Sequence, residues 1–189
     1  MFLVLGLGNP GEHYRWTRHN AGFWAVEMLA RDHGAPFRRG RGYDLAEADF
    51  YTERVFLARP LTYMNLSGKA ARRLRRKLRV EPQNILVIHD DIDLRPGTIR
   101  IRMGGSSGGH LGVQSVIDHL GTRDFPRVRV GVGRPPEGMD PADYVLAEMK
   151  GEELEEFLSW CERAAEAAEA VIMDGLDTAM NIFNASRAL

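Results

Sequence analysis

Hydrophobic and polar positions alternate along this chain in two rhythms, one typical of buried strands and one typical of amphipathic helices. The clearest strand is predicted at residues 84–88, where four apolar residues follow Asn84. An early helix is predicted over residues 21–33, behind Asn20, a residue type that often caps helices. Further strands are predicted at residues 1–6, 98–103 and 126–132 and as a hairpin over 44–60, and further helices at 67–79, 110–120, 151–172 and 175–187.

This order of elements predicts an α/β fold with a single domain over residues 1–189. Alternating strands and helices with glycine-rich turns are typical of a three-layer α/β/α sandwich on a mixed, mainly parallel twisted sheet. Two C-terminal helices are expected to close the domain. The segment 34–44 is rich in arginine and glycine and is predicted to be a basic loop.

Five polar motifs follow the predicted hydrophobic runs. In an α/β sheet, residues just past the carboxyl ends of the strands meet at one edge, where ligands bind. We therefore expect the motifs to contribute to one site. They read G-L-G-N-P-G from Gly6, T-R-H-N-A-G from Thr17, T-Y-M-N-L-S-G from Thr62, H-D-D-I-D-L-R-P-G from His89 and G-G-S-S-G-G-H from Gly104.

The charges are distributed unevenly, although the formal net charge is only −1. Residues 1–134 contain 22 Lys and Arg against 13 Asp and Glu, a balance of +9. Residues 135–189 contain 3 against 13, a balance of −10. The basic part also contains all five motifs, and a basic surface around a cleft concentrates polyanions. Nucleic acid is therefore a candidate partner, the alternative being a solvated basic face beside acidic helices.

The cysteine content and the lengths of the apolar runs restrict the setting of the protein. Cys161 is the single cysteine and cannot form a disulfide within the chain, which fits a reducing compartment. Its acidic neighbours disfavour a thiolate, so a catalytic thiol is not expected. The apolar start of the chain is too short for a signal peptide, and no stretch approaches the roughly 20 apolar residues of a membrane span. We expect a cytoplasmic protein with no membrane partner.

The first motif matches the G-x-G-x-x-G pattern of dinucleotide-binding folds. Such a site needs a helix that opens at the glycine loop and an acidic residue about 20 positions later, at the end of a second strand. Here the helix is predicted to begin about ten residues too late, and Pro10 removes a backbone donor that a pyrophosphate would use. The motif is better explained as a turn that presents the side chain of Asn9.

His19 is the candidate base, because it lies in the loop before a helix and histidine suits base chemistry near neutral pH. The carboxylates after the central strand, Asp90, Asp91 and Asp93, allow three interpretations. They could bind a hard cation, they could form a solvated turn, or Asp90 could accept a hydrogen bond that fixes the tautomer of His19. The residues alone leave all three open.

Two asparagines and a glycine loop complete the candidate chemistry. Asn65 could cap the helix that follows it, as could Ser67, or it could join Asn9 in holding a carbonyl group or an oxyanion. The loop at 104–112 could bind phosphate through its N–H groups or serve as a flexible crossover.

The chain lacks the sequence signatures of the usual enzymatic nucleophiles and metal sites. It contains no HExxH or CxxC pattern and no G-x-S-x-G elbow, since those letters occur only within the long glycine-rich loop at 104–112 and not in a tight strand-to-helix turn. If the protein is a hydrolase, water is the expected nucleophile and His19 its base. Neither a metal nor a cofactor is expected.

Taken together, the five motifs resemble those of the bacterial-type peptidyl-tRNA hydrolase family. The resemblance extends from Leu3 to about Ala185, and although each motif alone is weak, their combination in this order and spacing is highly specific. It implies an esterase that cleaves the bond between a stalled peptide and the 3′ end of tRNA, releasing both for reuse in translation.

The resemblance also implies roles for individual residues. His19 is the implied catalytic base and Asp90 its partner carboxylate, while Asn9 and Asn65 are implied to hold the substrate and the attacking water. The implied substrate-binding residues are Tyr14 and Met64 in the cleft, Arg100, Arg102 and Arg129 facing the tRNA, and His110 in the glycine-rich segment at 104–112.

One departure from the family pattern bears on the chemistry of the cleft. Many members carry Asn directly after the loop histidine, in a G-G-H-N-G pattern whose amide reaches the cleft, whereas this chain has Leu111. Leucine cannot donate a hydrogen bond. We therefore expect an altered rate or peptide preference, with activity retained.

Three hypotheses about function follow. The first is a monomeric, metal-independent esterase that acts on peptidyl-tRNA without an obligate protein partner. The second is a non-catalytic RNA-binding module on the same scaffold, which only Leu111 supports. The third is a nucleotide-dependent oxidoreductase, which the late helix disfavours.

Overall fold

Strands and helices alternate along most of the described chain, residues 1–185 of a computed structural model. The strands are β1 (Phe2–Gly6), β2 (Arg38–Gly40), β3 (Tyr43–Phe50), β4 (Glu53–Pro60), β5 (Ile85–Asp91), β6 (Ile99–Met103) and β7 (Pro126–Gly131). The α-helices are α1 (Ala21–Asp32), α2 (Ser67–Leu78), α3 (Leu111–Leu120), α4 (Pro141–Leu146), α5 (Gly151–Met173) and α6 (Leu176–Ala185). The last two positions of the helix predicted at 175–187 lie outside the described residues.

The seven strands form one sheet in the order β2-β3-β4-β1-β5-β7-β6. The four central strands, β4, β1, β5 and β7, run parallel to one another. The antiparallel pairings lie at the two edges, where β2 and β3 extend one side and β6 the other. The sheet is therefore mixed, with a parallel centre that places the carboxyl ends of the central strands at the same edge.

Helices cover both faces of this sheet, and the two faces are buried in separate cores. Consecutive residues of a strand point to opposite faces. In β5, accordingly, Ile88 packs with α1, α5 and α6, whereas Val87 packs with α2 and α3. The predicted three-layer α/β sandwich is confirmed.

Pairing with neighbouring strands changes two of the predicted segments. The central strand β5 continues to Asp91, because β7 pairs with it as far as Asp91 opposite Gly131. Asp90 and Asp91 are therefore part of the strand, and the prediction that they follow it was wrong. The segment 34–44 is only partly a loop, since β2 within it pairs with the start of β3.

Helix α4 was not predicted from the sequence. It has only six residues and one buried apolar residue, Val145, which is too little for a periodic signal. The side chain of Asp140 caps it by accepting a hydrogen bond from the Ala142 N–H at 2.7 Å.

Helix α6 closes part of the free edge of β6. The Asn184 side chain accepts a hydrogen bond from the Ile101 N–H and donates one to the Ile101 carbonyl, both at 2.8 Å. Arg100 in turn donates to the main-chain carbonyl of Asn184. A side-chain amide thus takes the place of a neighbouring strand at Ile101.

Within residues 1–185, no helix has the length and apolar character needed to cross a membrane.

Candidate active site

Two glycines let helix α1 begin directly against the strands. A Cβ atom on Gly22 would lie 2.3 Å from the carbonyl oxygen of Ile88, and a Cβ atom on Gly6 would lie 2.1 Å from the Gly22 oxygen. Neither position has room for a side chain. This close approach brings the turn before α1, which carries His19, to the carboxyl ends of β1 and β5.

His19 and Asp90 form a hydrogen-bonded pair although 71 positions separate them in the sequence. The Nδ1 atom of His19 lies 2.9 Å from one carboxylate oxygen of Asp90 and 3.0 Å from the other. Asp90 is buried, and 14% of the His19 side chain is exposed. An ionised carboxylate can only accept, so Nδ1 carries the proton and Nε2 is the unprotonated, basic nitrogen. Among the three interpretations of the acidic cluster, this contact corresponds to the third.

A second histidine binds Asp90 from the other side. The Nε2 atom of His110 lies 2.9 Å from the Asp90 Oδ1 atom. Its Nδ1 atom accepts hydrogen bonds from the N–H groups of Gly112, at 3.2 Å, and Val113, at 3.3 Å, in the first turn of α3. Because Nδ1 is an acceptor, the proton of the neutral ring is on Nε2, which donates to the carboxylate. His110 therefore caps α3 and holds Asp90 at the same time.

Burial and hydrogen bonding oppose each other in this group of His19, Asp90 and His110, which we call the carboxylate trio. Burial alone would raise the pKa of Asp90, but the charges of the two histidines and the hydrogen bonds they donate hold that pKa far below its usual range. Burial alone would likewise lower the pKa of His19, but the charge of Asp90 and the hydrogen bond to it raise that pKa above the usual value. At neutral pH the carboxylate is therefore ionised, and His19 is a stronger base than a free histidine.

His89 lies behind the carboxylate trio, with 4.8 Å between its ring centroid and that of His110. Its Nδ1 atom donates to the main-chain carbonyl of Asp90 at 2.7 Å, and its Nε2 atom is buried without a partner among the described residues. Burial foremost lowers the pKa of His89 well below its usual value. His89 is thus a neutral ring that packs against the trio.

Asn9 is held in place by residues of two other motifs. Its side-chain oxygen accepts a hydrogen bond from the Met64 N–H at 2.7 Å. The Asn20 side chain accepts from the Asn9 N–H at 2.9 Å and donates to the Asn9 carbonyl at 3.0 Å. Asn20 occupies the predicted cap position of α1, but its side chain braces this turn and makes no capping hydrogen bond to the helix. Since the side-chain oxygen of Asn9 is occupied, its NH2 group is the one left for a ligand.

A cavity of about 660 Å³ opens over these groups. Among the predicted site residues, those that line it are Asn9, His19, Met64, Asn65, Asp90, His110 and Leu111. Asn65 is exposed, and its side chain has no hydrogen-bond partner within residues 1–185. It does not cap α2, whose cap position is Leu66. Its amide is therefore available to a ligand in the cavity.

The sequence profile of the family described as Peptidyl-tRNA hydrolase matches residues 3–189. The chain belongs to the peptidyl-tRNA hydrolase family. The resemblance inferred from the five motifs is thereby confirmed.

Relatives and solved structures agree with membership of this family. The peptidyl-tRNA hydrolase of Chloroflexus aurantiacus is 48% identical over 186 residues, covering 97% of this chain and 99% of the relative. The peptidyl-tRNA hydrolase of Moorella thermoacetica is also 48% identical, covering 97% of this chain and 98% of the relative. The crystal structure of peptidyl-tRNA hydrolase from Acinetobacter baumannii has a TM-score of 0.91 and 33% identity, covering 99% of this chain and 96% of that one. The enzyme hypothesis is confirmed over the non-catalytic RNA-binding module.

The arginines that the resemblance to the peptidyl-tRNA hydrolase family assigned to tRNA lie on one face of the sheet. Strands β6 and β7 pair so that Arg100 is opposite Arg129 and Arg102 is opposite Arg127. Directly opposed residues of an antiparallel pair share a face, so these four residues form one cluster, here called the arginine face. Arg129 also donates to Asp91 at 2.8 Å, and Asp91 lines the cavity. The arginine face therefore adjoins the cavity.

Tyr14 lies beside the cavity and is not part of its lining. Its ring packs edge-to-face against Tyr63, with 6.5 Å between the ring centroids. Tyr63 does line the cavity and is 61% exposed. The aromatic surface that a substrate would meet is therefore that of Tyr63, which Tyr14 supports from behind.

The acidic cluster after the central strand does not converge on a cation. Asp91 and Asp93 instead pair with Arg129 and Arg134, at 2.8 and 2.6 Å. Among residues 1–185, metal-ligating atoms come together in the carboxylate trio, where those of His19, Asp90 and His110 lie within 4.8 Å of one another. A metal ion there would replace the hydrogen bonds that fix both tautomers, so the predicted metal independence can be tested directly with a chelator.

Sequence reasoning about this member of the peptidyl-tRNA hydrolase family missed several apolar residues of the cavity and one buried arginine. The apolar residues lie on short or irregular segments that give no periodic signal. Arg127 had a usable signal, since it precedes Arg129 by two positions in a predicted strand and must share its face. The missed residues are Tyr63, Ile92, Val145 and Leu146 in the cavity and Arg127 in the arginine face.

Proposed function

We propose that this protein hydrolyses the ester that joins a peptide to the 3′ end of tRNA, with water as the nucleophile and His19 as its base. The observation that carries the proposal is the hydrogen-bonded pair of His19 and Asp90 at the cavity, which leaves the Nε2 atom of His19 unprotonated. A base positioned in this way typically accelerates a reaction by about 10²–10⁴-fold.

The reaction is proposed to proceed through a tetrahedral intermediate. The oxygen of water attacks the ester carbonyl carbon while one proton of the water passes to Nε2 of His19. Asp90 stabilises the imidazolium that forms, because its carboxylate is ionised. The bond between the carbonyl carbon and the tRNA 3′-oxygen then breaks, and His19 returns its proton to that oxygen. The products are tRNA with a free 3′-hydroxyl group and a peptide with a free carboxyl group.

Two amides are proposed to stabilise the negative charge that develops on the carbonyl oxygen. The NH2 group of Asn9 is available because its oxygen already accepts from Met64. Asn65 lies on the exposed side of the same cavity. Removal of one donor of this kind typically lowers kcat by about 10²–10³-fold.

The tRNA is proposed to bind the arginine face through its phosphates. Arg100, Arg102 and Arg129 are partly or fully exposed and lie on adjacent strands. Contacts of arginine with phosphate position a nucleic acid without reading its sequence. The arginine face therefore suits an enzyme that accepts many different tRNAs.

We also propose that the protein acts in the cytoplasm as a monomer, without an obligate protein partner. Cys161 is a free, buried thiol, as is usual in a reducing compartment. One chain supplies every residue proposed for catalysis. Sedimentation of the protein with and without tRNA would test the oligomeric state.

The decisive experiment is hydrolysis of an N-acetyl-aminoacyl-tRNA by the purified protein, with and without EDTA. We expect EDTA-resistant cleavage, with kcat lowered by about 10²–10⁴-fold in His19→Ala and KM little changed. His13→Ala is the matched control, because His13 is exposed and is not part of the cavity lining. Its kcat should equal that of the wild type.

Other outcomes of the same experiment would contradict the proposal. Loss of cleavage in EDTA, restored by a divalent cation, would assign the carboxylate trio to a metal. Binding of tRNA by the wild type without any cleavage would leave the protein as an RNA-binding module.

A further inference from the structure

The loop between β6 and α3 places His110 beside Asp90, and the side chains of the loop itself do little to fix its conformation. We call residues 104–109 the glycine loop. Ser106 and Ser107 make no side-chain hydrogen bond with any residue of the described chain. Four residues of the loop are glycines with φ values between 59° and 100°, namely Gly104, Gly105, Gly108 and Gly109. Glycine permits this conformation but leaves the backbone free to adopt others.

A single side chain holds the middle of the glycine loop from outside. Arg127 on β7 donates to the main-chain carbonyl of Ser106 at 2.6 Å and to that of Gly105. Its guanidinium group also lies over the Phe125 ring, 4.9 Å from the centroid. The planar fork of an arginine presents two parallel donors to adjacent carbonyl groups, a geometry that the ammonium group of lysine does not reproduce.

The buried position of the Arg127 guanidinium group is energetically unfavourable. It is 2% exposed, and its Nε atom is buried without a partner among the described residues. Burial, and then repulsion by neighbouring arginines including Arg102 and Arg129, lower the pKa of Arg127 to about 10. A buried cation surrounded by like charges is costly unless it makes specific bonds. Since the group is also hidden from solvent, a phosphate cannot reach it as it can reach Arg102.

The contacts of Arg127 continue to the proposed base. The Ser107 carbonyl accepts a hydrogen bond from the His110 N–H at 3.0 Å, and His110 donates to Asp90, which orients His19. Ser107 also lines the cavity together with Gly108 and Gly109. If Gly105 and Ser106, which Arg127 holds, were to shift, His110 would therefore move relative to the carboxylate of Asp90.

We infer that Arg127 is a positioning residue for the proposed hydrolysis: it anchors the glycine loop and thereby holds His110 against Asp90. This inference rests on the proposed function and assigns Arg127 a role different from that of the exposed members of the arginine face. They attract the tRNA and should affect KM, whereas Arg127 orders the cleft and should affect kcat.

Steady-state hydrolysis of N-acetyl-aminoacyl-tRNA by Arg127→Met and Arg127→Lys tests the inference. We expect Arg127→Met to lower kcat by about 10- to 100-fold with KM changed less than about threefold, because small displacements of catalytic groups are costly. Arg127→Lys, which can reach one carbonyl, should recover part of the lost kcat. Arg123→Met is the matched control, since Arg123 is an exposed neighbour of Arg127 that makes no side-chain hydrogen bond to the loop. Its kcat should be unchanged.

Hydrogen–deuterium exchange of the free protein provides a readout that does not depend on activity. We expect faster exchange in Arg127→Met at the amide of His110 and across the glycine loop, with unchanged exchange in β5. An unchanged kcat, or a raised KM alone, would overturn the inference and place Arg127 with the tRNA-binding arginines. If Arg127→Met does not fold, Arg127→Lys decides, and a kcat equal to that of the wild type would overturn the inference. An inactive wild type would instead refute the proposed function.

Discussion

The carboxylate trio and the arginine face lie next to each other but differ in how their polar groups are satisfied. In the trio, Asp90 accepts from both histidines, His110 uses both ring nitrogens, and only the Nε2 atom of His19 is left open. In the arginine face, cations of like charge lie opposite one another, and the exposed Arg102 has no partner within residues 1–185. The trio is thus satisfied by its own residues, whereas Arg102 keeps donors that no described residue occupies.

This difference separates the proposed work of the two regions. A preorganised group of buried hydrogen bonds stabilises a transition state at no further cost of reorganisation. A cluster of like-charged cations at the surface attracts phosphates but does little to position the ester. Changes in the trio should therefore alter kcat, and changes in the arginine face should alter KM.

The largest effect is expected from a substitution of Asp90, the central residue of the trio. Asp90→Asn should lower kcat by about 10²–10⁴-fold, because the amide no longer stabilises the imidazolium or fixes the tautomer of His19. The measurement is single-turnover hydrolysis of N-acetyl-aminoacyl-tRNA. Asp93→Asn is the control, since Asp93 pairs with an exposed arginine and is outside the cavity lining; equal losses in both variants would contradict the assignment.

The pH dependence of Asp90→Asn sharpens the same comparison. His19 acts as a base only when neutral, so kcat/KM should fall as the pH drops through its pKa. That pKa is raised in the folded protein, so the acidic midpoint of the wild type should lie above about 6.5, the value of an ordinary histidine. Removing the charge of Asp90 leaves burial as the dominant influence, and the midpoint of the residual activity should move to lower pH.

An intermediate effect concerns the arginine face. If three phosphates are contacted, KM should rise about 40-fold between 50 and 200 mM salt, while kcat stays nearly constant. Arg102→Met should raise KM at low salt and reduce the slope of log KM against log salt by about 1. A flat salt profile in the wild type would show that phosphates do not dominate binding.

The smallest expected effect concerns the rim of the cavity. Leu111 is 64% exposed there, and Leu146, also in the cavity lining, is 39% exposed. Leu111 should therefore favour peptides that end in a large apolar residue. We expect Leu111→Asn to lower the ratio of kcat/KM for N-acetyl-phenylalanyl-tRNA over N-acetyl-glycyl-tRNA by about fourfold, the effect of about one buried methylene group. Met173→Asn, an exposed apolar position on α5, should leave the ratio unchanged, and an unchanged ratio in both variants would remove Leu111 from specificity.

The local elements of this fold could be predicted because their signals are local. The alternation of Val87 and Ile88 between two cores and the helical spacing in α1 both follow from the order of residues. The end of β5 could not be predicted, because Asp90 and Asp91 are strand residues only through their pairing with β7. Helix α4 was missed because its length is too short to show a period.

The residues alone predicted the types of side chain in the candidate site, but they left the contact between His19 and Asp90 as one of three interpretations, which the family resemblance then favoured. Histidine, carboxylate and amides identified the chemistry, and the motifs identified the family. The contact between His19 and Asp90 depends on the packing of Gly22 against β5, which no spacing in the sequence reveals. The double role of His110 was hidden for a related reason, since a ring that caps a helix and also binds a carboxylate needs both partners already in place.

The amide of Asn184 has a consequence for how the protein behaves among other proteins. An edge strand with unpaired backbone groups can recruit a strand from another chain and so start aggregation. At Ile101 that opportunity is removed, because the Asn184 side chain occupies both the N–H and the carbonyl group that another strand would need. The Asn184 side chain thus protects this edge of the sheet against pairing with a strand of another polypeptide.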